Sequence, residues 1–317
     1  MTDTQNEAFK MPVNKIRLFE HGAPGSQNLK LTRKYYTEDM PDGRVKHIVQ
    51  NITDPDIVPY IPDGIGNSAE AERIPAVLII PGGAFRRLVY NFEGEDVAKW
   101  LNSMGIAAFV LECRLPSDEH DNAEDVPLID AMRAMRVIRG RAQEFGIDEA
   151  KIGVMGFSAG GFMAALLSTA YESDVYADYK YKDEYDKLSA RPDFAVCSYP
   201  VISIDDCIEA GKRYMSEEQV LEIINDSETK ILHKYNPDKL VRPDMPPVFI
   251  CETDDDRTTL SENSVGFYMA ARKAGVSAEL HIFRTGGHGY GCGDDFAQTG
   301  EWKVLFTKWI KSIGIIS

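Results

Sequence analysis

The stretch that most limits what this chain can fold into is Lys151 to Ala165, KIGVMGFSAGGFMAA. Ile152, Val154, Met155 and Phe157 form an apolar run that reaches Ser158, and glycines and small helix-forming residues follow at once. The pattern predicts a buried strand, a sharp turn and a helix. Within it, Gly156-Phe157-Ser158-Ala159-Gly160 matches the G-x-S-x-G nucleophile elbow, a serine raised on a strained strand-to-helix turn. Glycines are needed two residues to either side because a Cβ there would strike the turn or the neighbouring helix. The following helix aims its amino terminus at the same place, where free N–H groups and a positive dipole end meet developing negative charge. The same five residues also occur in glycine-rich turns without chemistry, so the elbow needs partners elsewhere in the chain.

The surrounding sequence alternates strand and helix. Ala76-Val77-Leu78-Ile79-Ile80 is a continuous apolar run that stops at Pro81-Gly82-Gly83-Ala84-Phe85. Gly94 to Met104 carries Val97, Trp100 and Leu101 at helical spacing, Ile106 to Leu111 is apolar, and Leu128 to Phe145 is amphipathic. After the elbow, Phe194–Cys197, Pro247–Cys251 and Ala278–Phe283 read as strands, Leu260–Lys273 and Glu301–Ile313 as helices. Such alternation predicts an α/β fold with a mostly parallel central sheet flanked by helices. No repeat or linker splits the chain, which predicts a single domain over residues 1–317. Two polar excursions, about 171–190 and 204–244, are expected over the sheet edge as a lid or substrate wall. The first 70 or so residues show only short alternating pieces, Ile16–Phe19 and Val45–Val49, expected as antiparallel strands with little functional signal.

A formal charge of -15 argues against nucleic acid or an anionic membrane as a partner, because the protein's field repels a phosphate backbone. The five cysteines are widely spaced with no C-x-x-C pair, so neither a disulfide framework nor a zinc site is expected. No basic start with an apolar h-region opens the chain, and the expected location is cytoplasmic.

A serine nucleophile needs a base, and the base an orienting acid. In the order serine, acid, histidine, His21, His47 and His120 come too early; His233 lies in the second excursion and His281 within a strand pattern. His288, in Gly286-Gly287-His288-Gly289 just after the last strand, is the candidate base. The acid is expected at the end of the preceding strand, where Asp254, Asp255 and Asp256 are consecutive and spacing alone does not choose among them. An oxyanion needs two N–H donors. Ala159 follows the nucleophile, and Gly83 and Ala84 lie in the exit loop of the first core strand, where glycine permits close backbone approach. No dinucleotide fingerprint or Walker sequence accompanies that loop, and no cofactor or metal is expected.

With these residues in place, the chain from about Ile74 onward resembles the α/β-hydrolase serine esterases. More narrowly, it is similar to the bacterial acetylesterase and xylan-esterase-like branch, related to the hormone-sensitive-lipase and prolyl-oligopeptidase groups. The stretches that carry the resemblance are IIPGGAF, EGEDVAKWLNSMGIAAFVLECRLP, IGVMGFSAGG, SARPDFAVCSYPVIS, PPVFICETDDD and AGVSAELHIFRTGGHGYG. The resemblance implies the α/β-hydrolase fold and Ser158, Asp255 and His288 as the triad, with Asp256 the runner-up acid. Two departures stand out. Relatives often have His-Gly-Gly-Gly or Pro-Gly-Gly-Gly where this chain has Pro81-Gly82-Gly83-Ala84, and Val-Val-Pro where it has Arg257-Thr258-Thr259-Leu260.

The resemblance further implies a serine carboxylesterase removing short acyl groups, acetyl above all, from a small-molecule or oligosaccharide ester such as an acetylated xylo-oligosaccharide. Tyr171, Tyr176, Tyr179 and Tyr181 are candidates for a wall on which a sugar stacks. A small peptidase or amidase of the same fold and a non-catalytic hydrolase-fold binding protein are the alternatives, and a homo-oligomer is left open.

Overall fold

In the computed structural model, which describes residue 9 and residues 14–41, 43–65, 72–225, 229–293 and 298–317, the apolar runs become strands closed off from water. The strands are β1 (Ile16–Arg17), β2 (Lys34–Asp39), β3 (Val45–Gln50), β4 (Asp56–Tyr60), β5 (Ile74–Ile80), β6 (Leu88–Val89), β7 (Ala107–Glu112), β8 (Ile147–Phe157), β9 (Ala195–Ser198), β10 (Val248–Thr253) and β11 (Ala278–Phe283). The helices are α1 (Asp96–Ser103), α2 (Val126–Gly140), α3 (Ala142–Phe145), α4 (Ala159–Ala170), α5 (Ile204–Tyr214), α6 (Glu217–Asn225), α7 (Lys230–Lys234), α8 (Ser261–Lys273) and α9 (Glu301–Ser312).

An eight-stranded sheet runs in the order β1-β4-β7-β5-β8-β9-β10-β11. Its first two pairings are antiparallel, and every pairing from β7 to β11 is parallel. Strands β7 and β10 are buried along their whole length, which is why they read as unbroken apolar runs instead of alternating ones. This is the α/β-hydrolase fold that the sequence implies.

The chain steps from β5 to β7 through α1, then back past β5 to β8 through α2. Right-handed crossovers in opposite directions set those helices on opposite faces of the sheet. On one face Trp100 of α1 packs edge-on against Trp302 and Phe306 of α9, at 4.9 and 5.4 Å between ring centroids. On the other, α2 lies on α4. The reversal opens a crevice beyond the carboxyl ends of β5 and β8, where ligands of such sheets bind. The Pro81–Ala84 loop leaves one of those ends and Ser158 the other.

A second, antiparallel sheet joins β2, β3 and β6. Because β6 follows the β5 exit loop directly, this sheet is fastened to the crevice. Gln50 Nε2 donates to the Arg86 carbonyl, Tyr90 N to the His47 carbonyl, and His47 N to Asn91 Oδ1. Of the two polar excursions, 204–244 reaches the loop that carries the aspartates, where Arg257 lies over the Tyr214 ring, 5.5 Å from its centroid. Arg213 of α5 pairs with Glu262 of α8 at 2.8 Å, and the 183–188 turn is held to α2 through Arg133 and Asp183.

Candidate active site

Strand β8 delivers Ser158 into a turn that only a packed framework can hold. Its backbone has φ 53° and ψ -118°, outside the regions that L-residues favour. The elbow's glycines are explained by distance. A Cβ on Gly156 would lie 1.9 Å from the Gly160 carbonyl oxygen, and one on Gly160 would lie 1.9 Å from that of Ile80. The Ser158 N–H donates to the Ser198 carbonyl, which pins the turn to β9.

The Ser158 hydroxyl stands 2.8 Å from His288 Nε2, and His288 Nδ1 stands 2.6 Å from Asp256 Oδ2. A carboxylate on Nδ1 fixes the proton there and leaves Nε2 to accept from the serine. The acid that meets the imidazole is therefore Asp256, not Asp255 as the resemblance implied. Strand β10 ends at Thr253 and the chain turns back, the Asp256 N–H donating to the Thr253 carbonyl, so successive aspartates point to opposite sides. Asp256 turns inward and is buried, whereas Asp255 is exposed and its Oδ1 accepts from Gly286 N at 2.9 Å and Gly287 N at 2.8 Å. Asp255 thus holds the backbone of the histidine loop. Asp254 is exposed.

Burial alone would raise the Asp256 carboxyl, but the hydrogen bond and charge of His288 and the N–H groups of Thr259 and Thr258 hold it below its ordinary value. Those N–H groups lie 3.0 and 2.7 Å from Oδ1, and the Thr259 hydroxyl lies 3.0 Å from Oδ2. The segment in which this chain departs from its relatives, Arg257-Thr258-Thr259-Leu260, supplies the donors that keep the acid ionised. Behind it sits Glu252, fully buried, accepting from its neighbour's Thr253 N–H and from Ser264 Oγ. Burial first and the Asp256 charge second push Glu252 well above its ordinary value, so the two carboxyls are split into one neutral and one charged.

On the opposite wall, Gly83, Ala84 and Phe85 all have positive φ, at 137°, 57° and 60°. The carbonyls of Gly82 and Gly83 bond back within the loop, to Val89 N and to Arg86 and Arg87 N, which folds the loop over the crevice. Gly83 and Ala84 line a cleft of about 440 Å³ together with Ser158, His288 and Gly289. Ala159 is the first residue of α4, where an N–H has no partner one turn back. Ala159 borders a void of only about 10 Å³ together with Gly82, Phe85 and Met163.

Glu93 is a site residue that the sequence reading missed. It lies in a widened turn, Asn91–Glu95, in which the Glu95 N–H reaches back to the Tyr90 carbonyl. Buried there, it accepts from Gly82 N at 2.8 Å and from the Tyr199 hydroxyl at 2.9 Å, and Tyr199 in turn accepts from Gly291 N. One carboxyl thereby ties the β5 exit loop to the histidine loop. Burial pushes its carboxyl pKa above the ordinary value, against the lowering effect of the Tyr199 hydrogen bond and the His288 charge.

The far wall of the cleft is the second sheet. Lys46, Gln50 and Val89 line it, with Met40 at its edge. Among the described residues, none of 171–190 or 204–244 lines this cleft, and its far wall comes from the segment expected to carry least function. The tyrosine wall is likewise not formed. Tyr171 and Tyr176 are buried, with hydroxyls on Asp244 and Asp186, Tyr179 donates to the Gly22 carbonyl, and Tyr181 packs by His21.

The model of the BD-FAE family matches residues 65–270. An acetylxylan esterase of Xylanibacter ruminicola is 30% identical over 243 residues, which are 75% of this chain and 45% of that protein. An endo-1,4-beta-xylanase B of Butyrivibrio fibrisolvens is 32% identical over 220 residues, 69% of this chain and 33% of that protein. The chain thus spans less than half the length of both curated relatives. A crystal structure of an acetyl ester-xyloside bifunctional hydrolase from Caldicellulosiruptor lactoaceticus superposes with a TM-score of 0.72 at 34% identity, covering 96% of this chain and 97% of that one.

Proposed function

The chain belongs to the BD-FAE family, and from that premise we propose that it is a serine carboxylesterase removing short acyl groups, acetyl foremost, from hydroxylated carriers such as xylo-oligosaccharides. The observation that carries the reading is the run of contacts from Ser158 Oγ through His288 to Asp256, 2.8 and then 2.6 Å. Ser158 attacks the ester carbonyl carbon while its proton passes to His288 Nε2, and the imidazolium so formed faces the Asp256 carboxylate. Collapse of the tetrahedral adduct breaks the bond to the alcohol oxygen, which takes the proton from Nε2. Water, deprotonated by the same nitrogen, then releases the acid and restores Ser158. The N–H groups of Gly83, Ala84 and Ala159 are the assigned oxyanion donors. No step calls for a metal or cofactor.

A sugar carrier is supported by the relatives, an acetylxylan esterase and an acetyl ester-xyloside hydrolase. A short acyl group is supported by the names of the same relatives. Residues 1–317 are read as one hydrolase unit, since the main sheet draws strands from Ile16 to Phe283.

The test is acetate release from acetylated xylo-oligosaccharides, with 4-nitrophenyl acetate and Ser158→Ala alongside. Both substrates should be cleaved, and kcat should fall on the order of 10⁶-fold in the variant. Cleavage of the nitrophenyl ester alone would remove the sugar carrier from the reading. Cleavage of neither, with turnover of a peptide amide, would hand the site to the peptidase alternative.

A further inference from the structure

Glu93 and Ser158 crowd the same side of Gly82. A Cβ there would lie 2.8 Å from Glu93 Oε2, 2.9 Å from Ser158 Cβ and 2.5 Å from the Phe157 carbonyl oxygen. Only glycine fits, and its permissive backbone needs outside restraint to hold one pose. Glu93 Oε2 accepts from Gly82 N at 2.8 Å, Val89 N donates to the Gly82 carbonyl at 2.9 Å, and the N–H groups of Arg86 and Arg87 donate to the Gly83 carbonyl at 3.1 and 3.2 Å. A trans peptide sends its N–H opposite to its carbonyl. With the Gly82 and Gly83 carbonyls turned into the loop, the Gly83 and Ala84 N–H groups therefore point out of it.

Among these ties the one from Glu93 is made by a side chain, and it leads to the histidine side of the site. Its Oε1 accepts from the Tyr199 hydroxyl at 2.9 Å, and that oxygen accepts from Gly291 N at 3.0 Å. The Tyr199 ring lies edge-on to the His288 imidazole, 5.0 Å between centroids. We propose that Glu93 is a positioning residue for oxyanion stabilisation: braced by Tyr199, it fixes the Gly82 peptide and so aims the Gly83 and Ala84 N–H groups at the oxygen of the tetrahedral adduct. The inference rests on the esterase reading and adds to it a residue that acts through the loop.

The test compares 4-nitrophenyl acetate with its thionoacetate, in which sulfur replaces the carbonyl oxygen. Sulfur accepts hydrogen bonds weakly, so the oxyanion donors do less for the thionoester. The readout is the ratio of kcat/KM for the oxyester to that for the thionoester, which a general loss of activity does not move. Glu93→Ala should lower kcat on the oxyester about 10²-fold with little change in KM, and lower the ratio about tenfold. Tyr199→Phe keeps the ring, removes the brace and should lower the ratio about fivefold. Glu93→Gln keeps an acceptor for Gly82 N and should hold the ratio within about twofold of wild type. Asp256→Asn, a change to the triad, should slow both esters alike and leave the ratio in place. Thermal denaturation shows which variants are folded, and if Glu93→Ala is not, Tyr199→Phe decides. A ratio unmoved in every folded variant of Glu93 and Tyr199, or one that falls as far in Glu93→Gln as in Glu93→Ala, overturns the proposal while leaving the esterase intact. If wild type cleaves neither ester, the esterase reading fails and this role falls with it.

Discussion

Asp256 and His288 lie 32 residues apart in the chain and 2.6 Å apart at the site, whereas the adjacent Asp255 reaches past the imidazole to the two glycines before it. The acid and the residue that holds the histidine loop are thus neighbours in sequence with separate duties.

Asp256→Asn should lower kcat about 10⁴-fold with little change in KM, because an amide does not secure the required tautomer. Asp255→Ala removes an exposed acceptor of two N–H groups and should cost about 5-fold, the equivalent of about one hydrogen bond. Steady-state kinetics of the two variants check the assignment, and equal losses would contradict it.

Glu252 makes a prediction of opposite character. Its carboxyl is held well above the ordinary value of 4.5, so the folded chain keeps a proton that the unfolded chain gives up as pH rises past that value. Stability is lost over that rise. Glu252→Gln keeps a donor toward Asp256 without the titration, and its unfolding midpoint relative to wild type should climb from pH 5 to pH 8 while kcat changes by less than about threefold. Urea unfolding at several pH values gives the comparison.

The elbow supplies a third. Gly160→Ala drives a methyl into the Ile80 carbonyl, 1.9 Å away, and should cost about 3 kcal/mol or more along with activity. Ser158→Gly and Ser158→Ala should both be inactive. The glycine variant should be the more stable by about 1 kcal/mol, since φ 53° with ψ -118° strains any residue that has a Cβ. Thermal denaturation of the three proteins tests the order.

A buried histidine and a half-buried aspartate ahead of α2 predict compensating acid behaviour. His120 is held down to about 4 by burial and by the Arg114 charge, so it stays neutral in the folded chain while the unfolded chain takes up a proton near 6.5. Stability falls as pH drops through that window, by roughly 2 kcal/mol once solvent screening is allowed for. Asp118, pushed up to about 6 by burial, does the reverse, and acidification from 6 toward 3.8 favours the folded chain. His120→Gln should therefore become more stable than wild type as pH falls from 6.5 to 4, and Asp118→Asn less stable. Denaturation midpoints across that range show whether the two curves diverge.

What the sequence disclosed depended on how local the constraint was. The elbow was legible because Gly156, Ser158 and Gly160 answer to one turn and its nearest carbonyls. His288 was legible because it follows a recognisable strand. The choice between Asp255 and Asp256 depended on how the chain turns after Thr253, which the composition of three aspartates does not reveal. Glu93 and Glu252 carried no signal, since a single glutamate becomes a site residue only when distant backbone N–H groups and a buried tyrosine or aspartate converge on it. The second sheet was misjudged because its strands alternate polar and apolar residues like any half-exposed hairpin. Its role arises from β6, two residues long, which ties it to the Pro81–Ala84 loop.

That attachment divides the candidate site between two kinds of part. Ser158, His288 and Asp256 hang from the parallel sheet, whereas Lys46, Gln50 and Val89 of the facing wall belong to the second sheet, which Tyr35 also ties to Glu112 of β7. Lys46 and Gln50 of β3 line the cleft without a bond to Ser158, His288 or Asp256, so a change there alters the wall and leaves the triad contacts in place.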